Sequence, residues 1–245
     1  MTRIKAAASH LLLSVIFFST VTAIVIIIWY PTPHFSASGG WQGLKIAAGV
    51  DLVLGPLLTL VIFDIAKSRK KLMGDLIVIA FIQITALAWG INTIYGQRPV
   101  AVVFWEQNFI SIPAMALENH NIEIESLKKF GSLNPVLIYV EKPKELAGLK
   151  AMLKRINEDI IAPHHQLELY RPLEDYFDDI VPFQLNMGYI LEHNTDVKMR
   201  LNKILAEENK KYGDYYYFSL RSKYHNIILL FSHDGQLENH IVVRL

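Results

Sequence analysis

Three long stretches without charge constrain this chain more than anything else in it. Leu11–Tyr30 (LLLSVIFFSTVTAIVIIIWY) and Leu76–Tyr95 (LIVIAFIQITALAWGINTIY) each run 20 residues with no charged side chain, and Ile46–Phe63 (IAAGVDLVLGPLLTLVIF) runs 18 residues with one. A bilayer core of roughly 30 Å takes about 20 apolar residues as a helix. Each run therefore reads as a transmembrane helix. Three buried helices of a globular core are the competing reading, which uncharged runs of this length disfavour. The first run also admits a cleaved signal peptide with Arg3 and Lys5 ahead of it. Such an apolar region is usually about 7–15 residues, whereas this one is longer and closes on Trp29-Tyr30, a pair suited to an interfacial anchor.

Composition matters because it averages two unlike parts. Of the 245 residues 52% are apolar and 19% charged, against about 25% charged in a soluble domain. Residues 1–96 hold seven of the 24 Lys and Arg and three of the 23 acids, a balance of +4, and residues 97–245 carry −3. The expected organisation is thus a three-helix transmembrane region over 1–96 and a second domain over 97–245. The overall charge of +1 excludes a strongly basic nucleic-acid binder. With no cysteine in the chain, disulfide scaffolds, thiolate zinc sites and cysteine nucleophiles are excluded.

Lys and Arg set the expected orientation. They gather at the N-terminus (Arg3, Lys5) and between the second and third runs (Lys67, Arg69, Lys70, Lys71), while the connection between the first two runs has none before Lys45. The positive-inside rule places both basic segments in the cytoplasm. Three spans then carry everything after Tyr95 to the other side, the periplasm in a bacterial inner membrane. The first strand would begin about three residues after the third helix, with Arg98 near the headgroups.

Within the membrane part, Pro31–Leu44 holds two prolines and three glycines and cannot be one continuous helix. It reads as a re-entry turn with Phe35 and Trp41 at headgroup level. Asp51 stands early in the second run, which suggests shallow to moderate depth. An acid inside a bilayer costs roughly 2.5–3.5 kcal/mol at a helix centre, so it needs a partner. That partner lies either inside this protein (Lys45, Gln83 or Asn92) or on a bound membrane protein. Pro56 after Gly55 removes a backbone donor in mid-helix and predicts a kink. Gly49 and Gly55, with Ala47 and Ala48, predict a small-residue surface for close helix contact.

These residues carry a resemblance. Gly39-Gly40-Trp41-Gln42-Gly43, then the run from Gly49 to Leu60 (GVDLVLGPLLTL), Trp29-Tyr30-Pro31 and Tyr95 with Arg98-Pro99-Val100 resemble the type IV pilin accessory proteins of the TfpX/TfpZ type, over roughly residues 5–105. The resemblance implies an inner-membrane protein that acts on the major type IV pilin and tunes its stability, assembly or surface display. It implies no catalytic residues and no cofactor. On this reading the partners are the pilin and the lipid bilayer, and the candidate partner-contacting residues are Asp51, Gly49, Gly55, Pro56, Trp41 and Arg98.

The remaining 150 or so residues suffice for a domain with its own core. Pro99–Trp105 and Val136–Val140 read as strands, Lys144–Ile161 and Met187–Asn209 as helices, and Tyr215–Leu220, Ile227–Ser232 and Ile241–Leu245 as further strands, the last reached through an Asp234-Gly235 turn. That order predicts a mixed α/β (α+β) domain. His164-His165 and the scattered His193, His225, His233 and His240 lack the spacing of a metal site. Glu174-Asp175 and Asp178-Asp179 read as a solvated surface or an acidic rim for a partner, ahead of acid–base or calcium chemistry. The run Tyr215–Phe218 suggests a stacking platform, half of which alternation would turn into the core. Without a phosphate loop, a dinucleotide fingerprint or a nucleophile elbow, the expectation is a binding protein and not an enzyme. A membrane-bound enzyme modifying pilin or glycan is the alternative. A sensor would need a cytoplasmic output domain, and the short basic segments leave no room for one.

Overall fold

The computed structural model describes residues 2–64 and 66–243 and divides into two compact units. The first comprises residues 1–35 and 39–97, and the second residues 36–38 and 98–245.

The first unit is built on three helices long and apolar enough to cross a membrane: α1 (Arg3–Trp29), α2 (Gly40–Ile62) and α3 (Lys70–Gly96). Their starts follow ordinary capping chemistry. The Thr2 hydroxyl accepts from the Lys5 N–H, and the Ser68 hydroxyl accepts from the Lys71 N–H. Most of their apolar side chains point away from the protein: Leu13, Ile27, Val61, Phe81 and Trp89 are all more than half exposed. Faces this apolar need a non-aqueous surrounding. One end of the bundle is basic. There Arg3 Nη2 meets Asp64 Oδ2 at 3.0 Å and Lys67 Nζ meets Asp75 Oδ2 at 2.6 Å, with Lys5, Lys70 and Lys71 exposed alongside. The Ala66 backbone N–H and the Arg3 guanidinium hold the Asp64 carboxyl below its ordinary range. The other end is aromatic. Trp29 packs edge-on against Tyr95 at 5.0 Å, and the buried Tyr30 hydroxyl donates to the Ile94 carbonyl at 2.8 Å.

Pro56 does not break α2. The helix is π-wound over Gly49–Leu54 immediately ahead of it, and the Gly55 N–H reaches back to the Val50 carbonyl. A proline ring clashes with the carbonyl four residues earlier, and the wider winding gives that carbonyl room.

The second unit is a seven-stranded mixed sheet. Its strands are β1 (Pro99–Trp105), β2 (Asn108–Pro113), β3 (Val136–Val140), β4 (Tyr170–Pro172), β5 (Tyr216–Arg221), β6 (Asn226–Phe231) and β7 (Leu237–Val243), in spatial order β4-β3-β1-β2-β5-β6-β7. β1 pairs parallel with β3, and β2 parallel with β5, while the remaining neighbours are antiparallel. Alternation sends successive residues to opposite faces. Ala101, Val103 and Ile138 face α4 (Leu146–Asn157) through Met152. On the same side Tyr217, Ile228 and Leu230 pack under α5 (Met187–His193) and α6 (Thr195–Glu207). Val102, Phe104, Phe109, Phe218, Leu229 and Phe231 form a phenylalanine-rich core on the opposite face, closed by Leu173, Phe177 and Ile180. Ala37, from the connection between α1 and α2, is wholly buried in that core, and its carbonyl accepts from the Tyr224 N–H at 3.0 Å.

Several elements depart from the expected ones. β2 and β4 carry no signal that marked them. The helix expected to Ile161 ends at Asn157, because the chain turns through Ile160 at φ 57° and the Ile161 N–H returns to the Arg155 carbonyl at 3.0 Å. The single helix expected over Met187–Asn209 is two, since Asn194 ends the first and caps the second by accepting from the Val197 N–H at 3.0 Å. The last strand starts four residues early, and its expected end at residues 244 and 245 lies outside the described residues. Of the Tyr215–Phe218 run, Tyr215, Tyr217 and Phe218 are all buried, which leaves no stacking platform there.

Candidate functional site

Polar side chains are rare on α1, α2 and α3, and the ones buried there converge. On α1, His10 and Ser14 stand four residues apart and share a face. On α2, Asp51, Gly55 and Thr59 repeat the same spacing. α3 adds Gln83. His10 Nδ1 lies 2.6 Å from Thr59 Oγ1, and Ser14 Oγ donates to Asp51 Oδ1 at 3.2 Å. Ser14, Asp51, Thr59 and Gln83 are each at least nine-tenths buried. Gly55 makes the convergence sterically feasible, because a Cβ there would collide with the Gln83 side chain and come within 3.2 Å of His10 Nε2.

Two atoms of this cluster are left over. Asp51 Oδ2 and Gln83 Nε2 are buried and have no hydrogen-bond partner among the described residues. Both residues, with His10, Ser14 and Thr59, line a recess of about 590 Å³ whose remaining walls are apolar, with Leu13 and Phe17 on α1 and Ile79, Ile84 and Leu87 on α3. α1 and α3 each pack on α2 far more than on one another, so the recess is a cleft between them with α2 as its floor.

Asp51 stands midway along Gly40–Ile62, and Gln83 midway along Lys70–Gly96. Asp51 therefore stands further from the start of its helix than the apolar run alone suggests. The helix begins at Gly40, six residues before the run does, because Trp41, Gln42 and Lys45 are compatible with helix although they end the apolar stretch. Of the internal partners considered for Asp51, Lys45 and Asn92 are exposed and only Gln83 shares its recess. The residue that bonds it, Ser14, was not among them, nor were His10 and Thr59. Four-residue spacing of polar side chains within apolar helices is the signal that points to them.

The other candidates scatter. Gly49 faces open space, with nothing within 4 Å of where a Cβ would stand, so the two glycines do not form one surface. Trp41 is 53% exposed and lies 5.5 Å from the Phe35 ring. Pro56 is half-buried next to the π-wound turn. Arg98 belongs to the second unit, where with Lys128 and Glu125 it lines a separate hollow of about 560 Å³.

In the second unit a histidine trio stands out. His165 lies between His164 at 4.5 Å and His120 at 5.4 Å, ring centroid to ring centroid. Burial, then the neighbouring His164 and His120, push the His165 imidazole down to about 4. Burial also lowers His164, against the pull of Glu106. Among the described residues no group of three His, Asp or Glu side chains is placed to hold a metal ion. Glu174, Asp175, Asp178 and Asp179 are exposed while the intervening Phe177 and Ile180 enter the core, the pattern of a solvated acidic edge.

Three membrane-length helices around a polar-floored cleft, followed by a mixed α/β domain, define the class: a membrane-capable bundle joined in one chain to a second compact unit. Comparison with known proteins narrows it. The family model for the fimbrial assembly protein FimB matches residues 1–39. The fimbrial assembly protein of serogroups C1 and C2 of Dichelobacter nodosus is 35% identical over 100 residues, which cover 41% of this chain and 76% of that protein. Those of serogroup E1 and serogroup I are likewise 35% identical over 100 residues, but the chain spans only 39% of the length of each. This chain belongs to the fimbrial assembly protein family. No solved structure matches it.

Proposed function

We propose that this chain is an inner-membrane accessory protein of the TfpX/TfpZ type, which binds the major type IV pilin and modulates its stability, assembly or surface display. The observation that carries the reading is the 35% identity to a fimbrial assembly protein over three quarters of that protein's length. The bundle supports the location: its outward apolar faces suit lipid, and its basic end suits the cytoplasmic side. The N-terminus then lies in the cytoplasm and the domain after residue 97 in the periplasm. The protein works by binding and not by catalysis, using a membrane surface for the pilin's helix and a periplasmic surface for its head. The test is co-purification of the chain with its host's major pilin from detergent, together with pilin levels and piliation in a deletion strain. Association plus altered piliation is expected, and neither association nor a piliation change would overturn the reading.

A further inference from the structure

The cleft between α1 and α3 poses a physical problem. Asp51 Oδ2 and Gln83 Nε2 are buried at mid-helix and lack partners among the described residues. Unpaired polar groups buried away from water are strongly disfavoured in hydrocarbon, and lipid tails can neither donate nor accept. Within the cluster Ser14 Oγ bonds Asp51 Oδ1 and His10 Nδ1 bonds Thr59, which leaves Asp51 Oδ2 and Gln83 Nε2 unbonded among the described residues. The recess, at about 590 Å³, is far larger than the roughly 30 Å³ share of one water molecule. Its rim includes exposed apolar side chains, Leu13 at 68%, Ile84 at 66% and Phe17 at 45%. An apolar rim around a polar floor has the shape and chemistry to receive a packed helix with one polar side chain, and an α2 floor flanked by two walls is the geometry of a vacant position in a four-helix bundle.

We propose that this cleft is a docking site for a single transmembrane helix that carries a hydrogen-bond donor at mid-span, with Asp51 Oδ2 as its acceptor. Gln83 supplies a second contact, and the exposed faces of Leu13, Phe17 and Ile84 pack against the incoming helix. Helix contacts inside a bilayer are selected by such interhelical hydrogen bonds because no hydrophobic drive separates helix from lipid. The inference rests on the reading of the chain as a pilin-binding membrane protein and assigns the place where the pilin's helix is held.

The test is photo-crosslinking of the full chain in its native membranes, with a benzophenone side chain at Phe17 or Ile84 in the cleft and at Ile16 or Phe81 on outward faces as controls. Adducts recognised by antibody to the pilin are expected from the cleft positions and not from the controls. Asp51→Leu should lower the cleft adduct at least tenfold. Because that change can also disturb folding, Leu13→Trp serves as a second variant that narrows the exposed mouth without touching the polar cluster, and it should lower the adduct to a similar degree. Equal adducts from cleft and control positions, or cleft adducts unchanged in both variants, would overturn the proposal. Pilin that still co-purifies with the chain in those cases leaves the proposed function standing and removes only the cleft. Absence of co-purification from the unaltered chain instead removes the function itself.

Discussion

Gly55 shows how much a single residue controls. Its missing side chain leaves the space that Gln83 occupies beside His10, so Gln83 joins the polar cluster because this position is bare. Gly55→Val should force α3 away from α2 and cost about 1–3 kcal/mol, the usual range for overpacking, read as a lower melting temperature of the purified chain in detergent. Gly235 is the counterpart in the second unit: at φ 80° it turns the chain into β7, and a Cβ would press on the Phe177 ring at 2.9 Å. His165 makes a prediction about pH. Its folded value of about 4 lies below the 6.5 expected in an unfolded chain. The unfolded state therefore binds the proton first as pH falls, and the stability held above pH 6.5 is lost progressively from 6.5 towards 4. Since the ring is only partly shielded from solvent, the loss is on the order of 1 kcal/mol. Denaturant melts at pH 7 and pH 5 should show it in the unaltered chain, and His165→Gln should flatten the difference.

At the level of elements, local chemistry decided most boundaries that periodicity missed. Asn194 interrupts a continuous apolar stripe, in which Ile190, Leu191, Val197, Leu201, Ile204 and Leu205 all reach the same core. The stripe alone therefore reads as one helix, although a side-chain oxygen capping the Val197 N–H ends one helix and starts another. Asn194→Ala should cost about 1 kcal/mol, and Asn194→Asp, which keeps the cap, should cost little; chemical denaturation of the two variants side by side distinguishes them. β2 escaped notice because its hairpin turns through Glu106 at φ 60° followed by Gln107, without the glycine or asparagine that usually marks such a turn. β4 is three residues long and exists because β3 offers an edge. The π-winding of α2 had a visible cause in Pro56, but a kink and a wider turn are equally good answers to the same missing donor. α2 takes the one that keeps the helix continuous.

For the molecule as a whole, the strongest expectation concerns its passage through the membrane. Arg3, Lys5, Lys67, Lys70 and Lys71 share one end of the bundle, and the ion pair between Arg3 and Asp64 ties the start of α1 to the end of α2. If that end is cytoplasmic, alkaline phosphatase joined after residue 243 should be active and a cytoplasm-dependent reporter there should be silent. Exchanging Lys67, Lys70 and Lys71 for glutamine should weaken this preference in the same assay.

The sequence by itself determined the number of membrane-length helices, the basic character of one end of their bundle and the α/β character of the second domain, because each is written in runs of neighbouring residues. It also carried the likeness to fimbrial assembly proteins, part of which lies within residues 1–39. Which polar residues meet was decided only by tertiary structure. His10, Ser14, Asp51, Thr59 and Gln83 lie on three helices, and no local pattern reports how those helices are rotated against one another. The six proposed contact residues illustrate the limit: Asp51 and Gly55 meet at one cluster, while Gly49 and Trp41 turn outward. Proximity along a chain fixes the direction of a side chain only within its own helix, and the unpaired carboxylate oxygen of Asp51 is a property of three helices packed together.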